Sequence, residues 1–334
     1  MAVQRLHGTD GIRGIIATCD SDENPIEKLI LQREISPSLM RLIGSATGTV
    51  LAESKDSPSV VIGWDRRDGN VELVDSLEEG LIDSGCVVTR VGLVPTPGLH
   101  NALLTLEADA GMMVTASHNP ATDSGVKLFD GLGYKSMPKL EDRISEVAWT
   151  PSPLDSNQGS KGTDYDGISG YRKRLKEWVD LLCELFGIDT EDWRSIAAPQ
   201  GILLDSSGGA TTNWMAFGIT RRGLECEEVS DTDRELNDGC GAGELSPTDS
   251  WTVSELMEED FEHALLSAIQ EKLHENDGMP PWSEGDLVAA ALDGDGDRCL
   301  LIEATVDGLA VVDGDAMAYE WSQALLQTEV NELT

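Results

Sequence analysis

SVVIGWD (59–65), NVELVDSLEEGLIDSG (70–85), CVVTRVGLV (86–94), TPGLHNALLTLEA (96–108) and DAGMMVTAS (109–117) follow one another almost without interruption. Short apolar runs alternate with stretches of helical apolar spacing, so the segment reads β-α-β-α-β, with parallel strands and helices on both faces. Open α/β sheets hold their ligands just beyond the carboxyl ends of strands. Ser117 falls at such an end, and with Pro120 close behind it the expectation is a tight turn that leaves the serine hydroxyl exposed.

Working outward, TPSPLDSNQGSKGTD (150–164) has no apolar period and is rich in Pro, Ser and Gly, the composition of a linker. The expected division is a first domain over 1–150, a linker over 151–163, a second domain over 164–305 and the start of a third over 306–334. Ile168, Tyr171, Leu175, Trp178, Val179, Leu182, Leu185 and Phe186 recur at helical spacing, with Gly187 as the stop, and predict a long helix covering the second domain. GILLDSS (201–207), GATTNWMAFGITRRG (209–223) and LECEEVSD (224–231) then read as strand, helix and strand. Thr252 and Glu255 have capping-box spacing ahead of Met257, Phe261, Leu265, Ile269 and Leu273, which predicts one amphipathic helix. DLVAAAL (286–292) and CLLIEA (299–304) are strand-like runs flanking DGDGDR (293–298).

The 334 residues suffice for two ordinary domains and a cleft between them. With 24 Lys and Arg against 61 Asp and Glu the formal charge is −37, which repels nucleic acid and anionic membranes. The surplus is spread along the chain, as in a strongly solvated acidic surface of the kind high salt favours. Cys19, Cys86, Cys183, Cys226, Cys240 and Cys299 form no CxxC pair and no zinc spacing, and read as reduced thiols. The sequence MAVQRLHGTDGIRG is unlike a signal peptide and no apolar run reaches spanning length, so a cytoplasmic protein without membrane association is expected.

Two motifs carry chemistry. In DGDGDR the carboxylates of Asp293, Asp295 and Asp297 alternate with Gly294 and Gly296, which let the backbone fold tightly enough to aim all three inward around a hard cation. Arg298 stands where a calcium hand needs glycine and Ala304 where it needs glutamate, so Mg²⁺ suits the set better. In TASHNP (115–120) the Ser117 hydroxyl can carry a phosphoryl group; no GxSxG elbow supports a hydrolase, and His118 is adjacent in sequence. GTDGIRG (8–14) sets Arg13 among glycines as a flexible cationic loop able to reach a phosphate. GWDRRDG (63–69) offers Arg67 either to a substrate or to an Asp65–Arg67 pair orienting the loop, and Lys127 could act as acid, base or phosphate clamp. No Walker A loop, GxGxxG or kinase signature is present, so a phosphate stored on Ser117 takes the place of ATP.

HGTDGIRG, GWDRRDG, TASHNPATDSGVKLFDG, LLDSSGGAT, ELNDGCGAG and DGDGDR occur in the order found in the α-D-phosphohexomutases, and the resemblance covers residues 5 to about 315. It implies consecutive three-layer α/β/α domains with mixed, largely parallel sheets. It also implies a phosphoserine at Ser117, whose phosphate helps Asp293, Asp295 and Asp297 bind Mg²⁺. Catalytic positions are then Ser117, Lys127, Arg13 and His118, with Arg13, Arg67, Lys127 and Arg298 binding phosphate. The partners are a hexose phosphate and a hexose bisphosphate, and the net reaction moves a phosphate between the 6- and 1-positions. LNDGCGAG looks most like the phosphoglucosamine mutase branch, which would make the sugar glucosamine; the alternatives are a phosphomannomutase or phosphoglucomutase, or a non-catalytic sugar-phosphate binder. His7 stands where the family more often has an aromatic. After VVDGDAMAYEW the chain ends where the family continues into a third and a fourth domain, and we read it as a piece of a longer reading frame. A cleft for a dianionic substrate in so acidic a chain must be locally positive.

Overall fold

Alternating burial along the strands of the first half sorts their side chains to two opposite faces. Val60, Ile62, Ala110, Met112 and Val114 point into one core, and Val61 and Met113 into another. A computed structural model describes residues 4–17, 23–151, 159–188, 198–230 and 233–327, and it divides into two units, Met1–Tyr171 and Arg172–Thr334.

In chain order the first unit runs β1 (Ile12–Ile16), α1 (Pro25–Gln32), β2 (Glu34–Ile35), α2 (Pro37–Ala52), β3 (Ser59–Trp64), α3 (Asn70–Asp83), β4 (Val87–Leu93), α4 (Thr96–Thr105), β5 (Ala110–Val114), β6 (Asp123–Asp130), α5 (Pro138–Trp149) and β7 (Ser160–Lys161). The seven strands form one sheet in the order β2-β1-β6-β5-β3-β4-β7. The predicted β-α-β-α-β segment is β3 to β5, and β3 pairs in parallel with both β4 and β5. Only β6 runs against its neighbours, β1 and β5. Helices α1, α2, α3 and α5 cover one face through Ile26, Ile43, Leu77 and Ile144, while Leu99, Ala102 and Leu103 of α4 cover the other, giving three layers. Within the expected linker, residues 152–158 lie outside the described ones, but Ser160–Lys161 is strand β7 and extends this sheet beside β4.

Helix α6 (Gly167–Phe186) is the predicted long helix and ends at Gly187, whose φ is +64°. It runs across the division between the units, and its apolar stripe is only partly covered, with Trp178 and Leu181 about half exposed.

The second unit contains β8 (Ile202–Asp205), α7 (Met215–Thr220), β9 (Cys226–Glu228), β10 (Ser250–Thr252), α8 (Val253–Glu258), α9 (Ala264–Glu275), β11 (Leu287–Leu292), β12 (Cys299–Ala304), β13 (Gly308–Val312) and α10 (Gly314–Gln327). Its six strands order β10-β13-β12-β11-β8-β9. This sheet is also mixed, but its antiparallel pairings (β10–β13, β13–β12, β12–β11) outnumber the parallel ones (β11–β8, β8–β9) because short turns fold residues 287–312 into successive hairpins. Strand β13 lies between β12 and β10, so this sheet continues past residue 305, where the sequence suggested a domain boundary.

Two predicted helices are shorter than their patterns. The Thr252–Glu255 capping box forms, but Glu259 is extended (φ −89°, ψ 149°) and His263 caps a separate helix, so the stripe from Met257 to Leu273 is divided between α8 and α9. The helix expected over 209–223 is confined to α7, because Ser207 and Asn213 take left-handed φ values of 55° and 71° in the preceding turn. Cys86, Cys183, Cys226, Cys240 and Cys299 are free thiols, and burial pushes Cys86, Cys226 and Cys240 up to about 12, too high for reactive thiolates. Among the described residues no helix is long and apolar enough to cross a membrane.

Candidate functional site

The end of β5 is built around one buried ion pair. Asp65, following β3, accepts the Thr115 hydroxyl at 2.6 Å, Arg67 Nε at 3.1 Å and the Asn70 amide at 2.6 Å. Thr115 Oγ1 in turn accepts the Ser117 N–H at 2.8 Å. Arg67 spends the rest of its guanidinium on main-chain carbonyls: Ser117, Asn119, Pro120 and Asp123 all accept from it. The side chains of Asp65 and Arg67 are both fully enclosed. Arg67 thus makes the contacts of a loop-orienting residue. With every donor committed inside the protein, Arg67 has none left for a substrate phosphate.

Ser117 is held at φ 57°, a left-handed conformation that costs an L-residue roughly 1–2 kcal/mol. It is buried, which corrects the expectation of an exposed hydroxyl. The serine side chain is short, and a loop drawn inward by both Arg67 Nη atoms covers it.

Arg13 lies on β1, opposite Gly125 of β6. The glycines beside it permit close packing and are no sign of a mobile loop: a Cβ on Gly11 would sit 2.2 Å from the Val126 carbonyl oxygen, and one on Gly14 1.8 Å from that of Arg33. Fixed in this way, Arg13 donates to the Ala116 carbonyl at 3.0 Å, next to Ser117, and pairs with Asp10. Lys127 Nζ stands 3.7 Å from Asp10 and Lys135 Nζ 2.5 Å from it. Burial raises the Asp10 pKa, but the Lys135 hydrogen bond and the charges of Lys127 and Arg13 outweigh it and hold the carboxyl below its ordinary value. Asp10 is therefore an anionic post that assembles three cations beside the Ser117 loop. The sequence reading named neither Asp10 nor Lys135. Asp10 lies within GTDGIRG and was open to recognition there; Lys135 reaches the cluster from a turn with no motif of its own.

A cavity of about 560 Å³ opens beside this cluster, lined by Arg5, Asp10, Arg13, Arg33, His118 and Asn119 among others. Three arginines stand on its wall, Arg5 paired with Glu141 and Asp142 and Arg13 with Asp10. His118 lines it half-buried.

Next to the cavity, His7 is buried, and its Nδ1 finds no hydrogen-bond partner among the described residues. Burial pushes its pKa down to about 4 against the opposing pull of Glu141. Its folded value thus lies below the unfolded 6.5, so the stability it contributes is complete above pH 6.5 and is lost as pH falls toward 4. His7→Phe is expected to remove up to about 3 kcal/mol of this acid-side loss. Urea melts across pH 6.5 to 4 measure it, and a slope unchanged in the variant would assign the loss to other groups.

In the second unit the acidic loop closes the β11–β12 hairpin, where Leu292 pairs with Cys299. The Asp293 Oδ1 accepts the amides of Asp297 and Arg298, both at 3.1 Å, and the loop curls on itself. One carboxylate oxygen from each of Asp293, Asp295 and Asp297 lies within 4.8 Å of the others, with Asp293 and Asp295 fully buried. Clustered, desolvated carboxylates repel unless a cation joins them, and an all-oxygen anionic set fits a hard dication such as Mg²⁺. The exposed Arg298 side chain makes no hydrogen bond or ion pair among the described residues.

Residues 4–153 match the family described as phosphoglucomutase/phosphomannomutase, alpha/beta/alpha domain I. The phosphoglucosamine mutase of Bacillus pumilus is 28% identical over 320 residues, covering 94% of this chain and 58% of that protein. That of Geobacillus thermodenitrificans is 28% identical over 329 residues, covering 97% and 60%. Nearly half of the chain thus matches a phosphoglucomutase/phosphomannomutase domain, and nearly all of it is similar to phosphoglucosamine mutases. Its fold is similar to that of a phosphoglucomutase/phosphomannomutase family protein from Burkholderia thailandensis, with a TM-score of 0.60 and 22% identity over 97% of this chain and 59% of the other. The chain thus spans about three fifths of the length of the curated relatives it matches.

Proposed function

We propose that this chain carries the phosphoryl-donor and cation loops of a phosphohexose mutase, with Ser117 as the residue that holds the phosphate. The observation that carries the reading is the loop itself: a left-handed serine, pinned by a saturated Arg67, beside Arg13 and Lys127 gathered on Asp10. A short side chain held by strain next to concentrated positive charge suits phosphoryl transfer, where positioning and charge neutralisation supply most of the acceleration.

In this reading the phosphoserine Oγ–P bond breaks as a bond forms from phosphorus to a hexose hydroxyl oxygen. Lys127 passes the hydroxyl proton toward the departing Ser117 Oγ. The resulting bisphosphate turns around and returns its other phosphate to Ser117 by the same step in reverse. Arg13 and His118 face the phosphates from the cavity wall. Asp293, Asp295 and Asp297 would hold Mg²⁺. When bound, the ion supplies Lewis-acid neutralisation of the moving group. We assign glucosamine as the sugar on the resemblance of LNDGCGAG (236–243) to the phosphoglucosamine mutase branch and on the 28% identity to such enzymes. The reduced thiols fit a cytoplasmic setting.

The test offers the 1,6-bisphosphates of glucosamine, mannose and glucose to the dephosphorylated chain and reads phosphate capture by intact mass and peptide mapping. Capture at Ser117, fastest from glucosamine bisphosphate, is expected. Faster capture from mannose or glucose bisphosphate moves the assignment to the sister enzymes; bisphosphate binding without capture removes the covalent mechanism.

A further inference from the structure

The start of the acidic loop is gripped on either side of Asp293 by backbone amides from other segments. The Ala242 N–H donates to the Leu292 carbonyl at 2.9 Å, one residue before Asp293. The Ala210 N–H donates to the Gly294 carbonyl at 2.9 Å, one residue after it. The two amides come from separate stretches, the turn after β8 and the strap at 239–242. Both stretches are tied to one side chain, Asp205, at the carboxyl end of β8.

Asp205 is fully buried and beside the loop, because β8 runs parallel to β11 with Asp205 in register with Ala291. Its Oδ1 accepts the Ser207 N–H at 2.8 Å and its Oδ2 the Gly241 N–H at 2.7 Å. Only a carboxylate presents acceptors on both oxygens in one plane; an amide must turn a donor toward one of these N–H groups. His263 steadies the strap from behind, with Nδ1 accepting the Leu265 amide and Nε2 donating to the Gly241 carbonyl at 3.1 Å. The fit leaves no slack. A Cβ on Gly209 would lie 2.4 Å from the Gly294 carbonyl oxygen, and one on Gly241 2.4 Å from Ser207 Cβ.

We propose that Asp205 is a positioning residue for the cation site: by tying the 206–210 turn to the 239–242 strap it closes a clamp on residues 292–294 and sets the spacing of Asp293, Asp295 and Asp297. The inference rests on the cation-binding reading of the acidic loop given above. Asp205 touches no ion itself; it acts through the main chain on either side of Asp293. Its effect therefore appears in the affinity of the folded protein for a divalent ion, which a residue serving stability alone leaves unchanged.

The probe is Mn²⁺, followed by electron paramagnetic resonance on the full chain well below its melting temperature. Asp295→Asn defines the binding that belongs to this loop, and Ile269→Val, buried on α9, serves as a control for loss of stability without contact to the loop. Asp205→Asn is expected to weaken loop-specific binding about tenfold, the lower end of the effect of removing partners that orient metal ligands. Gly209→Ala, which changes no charge, is expected to weaken it as well. Affinity in Asp205→Asn equal to that of Ile269→Val would overturn the proposal while leaving the cation reading intact. If Asp205→Asn does not fold, Gly209→Ala decides, and unchanged affinity there overturns it equally. Absence of any Asp295-dependent binding in the unsubstituted chain overturns this proposal together with the reading beneath it.

Discussion

Arg67→Lys is expected to destabilise the first unit by about 3–5 kcal/mol, the cost of leaving two or more buried carbonyls without donors. At this size that lowers the melting temperature by roughly 10 °C. Lysine keeps the charge but has three donors on a single atom where arginine has a planar fork. It cannot serve Asp65 through one edge and the carbonyls of Ser117, Asn119, Pro120 and Asp123 through the other. Several buried carbonyls are left without donors, each costing about 1–3 kcal/mol, and the loop has to open to reach water. Amide exchange over 115–123 should rise in step, and phosphate capture at Ser117 should fall with it. A variant that retains stability and exchange protection would show that the carbonyls, and not Arg67, hold the loop's shape.

Much of this arrangement was open to a reading of residues in order. The central strands announced themselves because β3 and β5 are buried on both faces and so appear as unbroken apolar runs. DGDGDR was legible for a different reason: its chemistry is local, and three carboxylates two residues apart converge whenever the hairpin closes. The errors share a cause. Glycine next to Arg13 was read as freedom, but a missing Cβ serves equally to let β1 lie against the Arg33 carbonyl, a contact made by a segment twenty residues away. Helical spacing through Glu259 gave no hint of the break there, since the apolar period survives across it. The burial of Ser117 and the service of Asp10 and Asp205 are properties of how distant segments meet. A sequence shows the residues for such meetings without showing that they occur.

Ser117→Gly should abolish phosphate capture entirely and at the same time raise the stability of the first unit by about 1 kcal/mol. The φ of 57° is costly for any residue with a Cβ and nearly free for glycine. Part of the relief is offset because glycine leaves a more flexible unfolded chain, which is why the gain is put at the lower end of the strain. The Ser117 amide still reaches Thr115 Oγ1 and its carbonyl still receives Arg67, since both bonds are to the main chain. Ser117→Ala separates the two effects: it removes the hydroxyl and keeps the strain, so capture is lost with stability close to that of the parent. Chemical denaturation of the three chains side by side, with phosphopeptide mapping after exposure to hexose bisphosphate, gives both readouts. Strain tolerated only for the sake of a hydroxyl is what a site under selection for chemistry retains. If glycine instead destabilises the unit, the left-handed turn is stabilised by the serine side chain itself, and the strain is no guide to what Ser117 does.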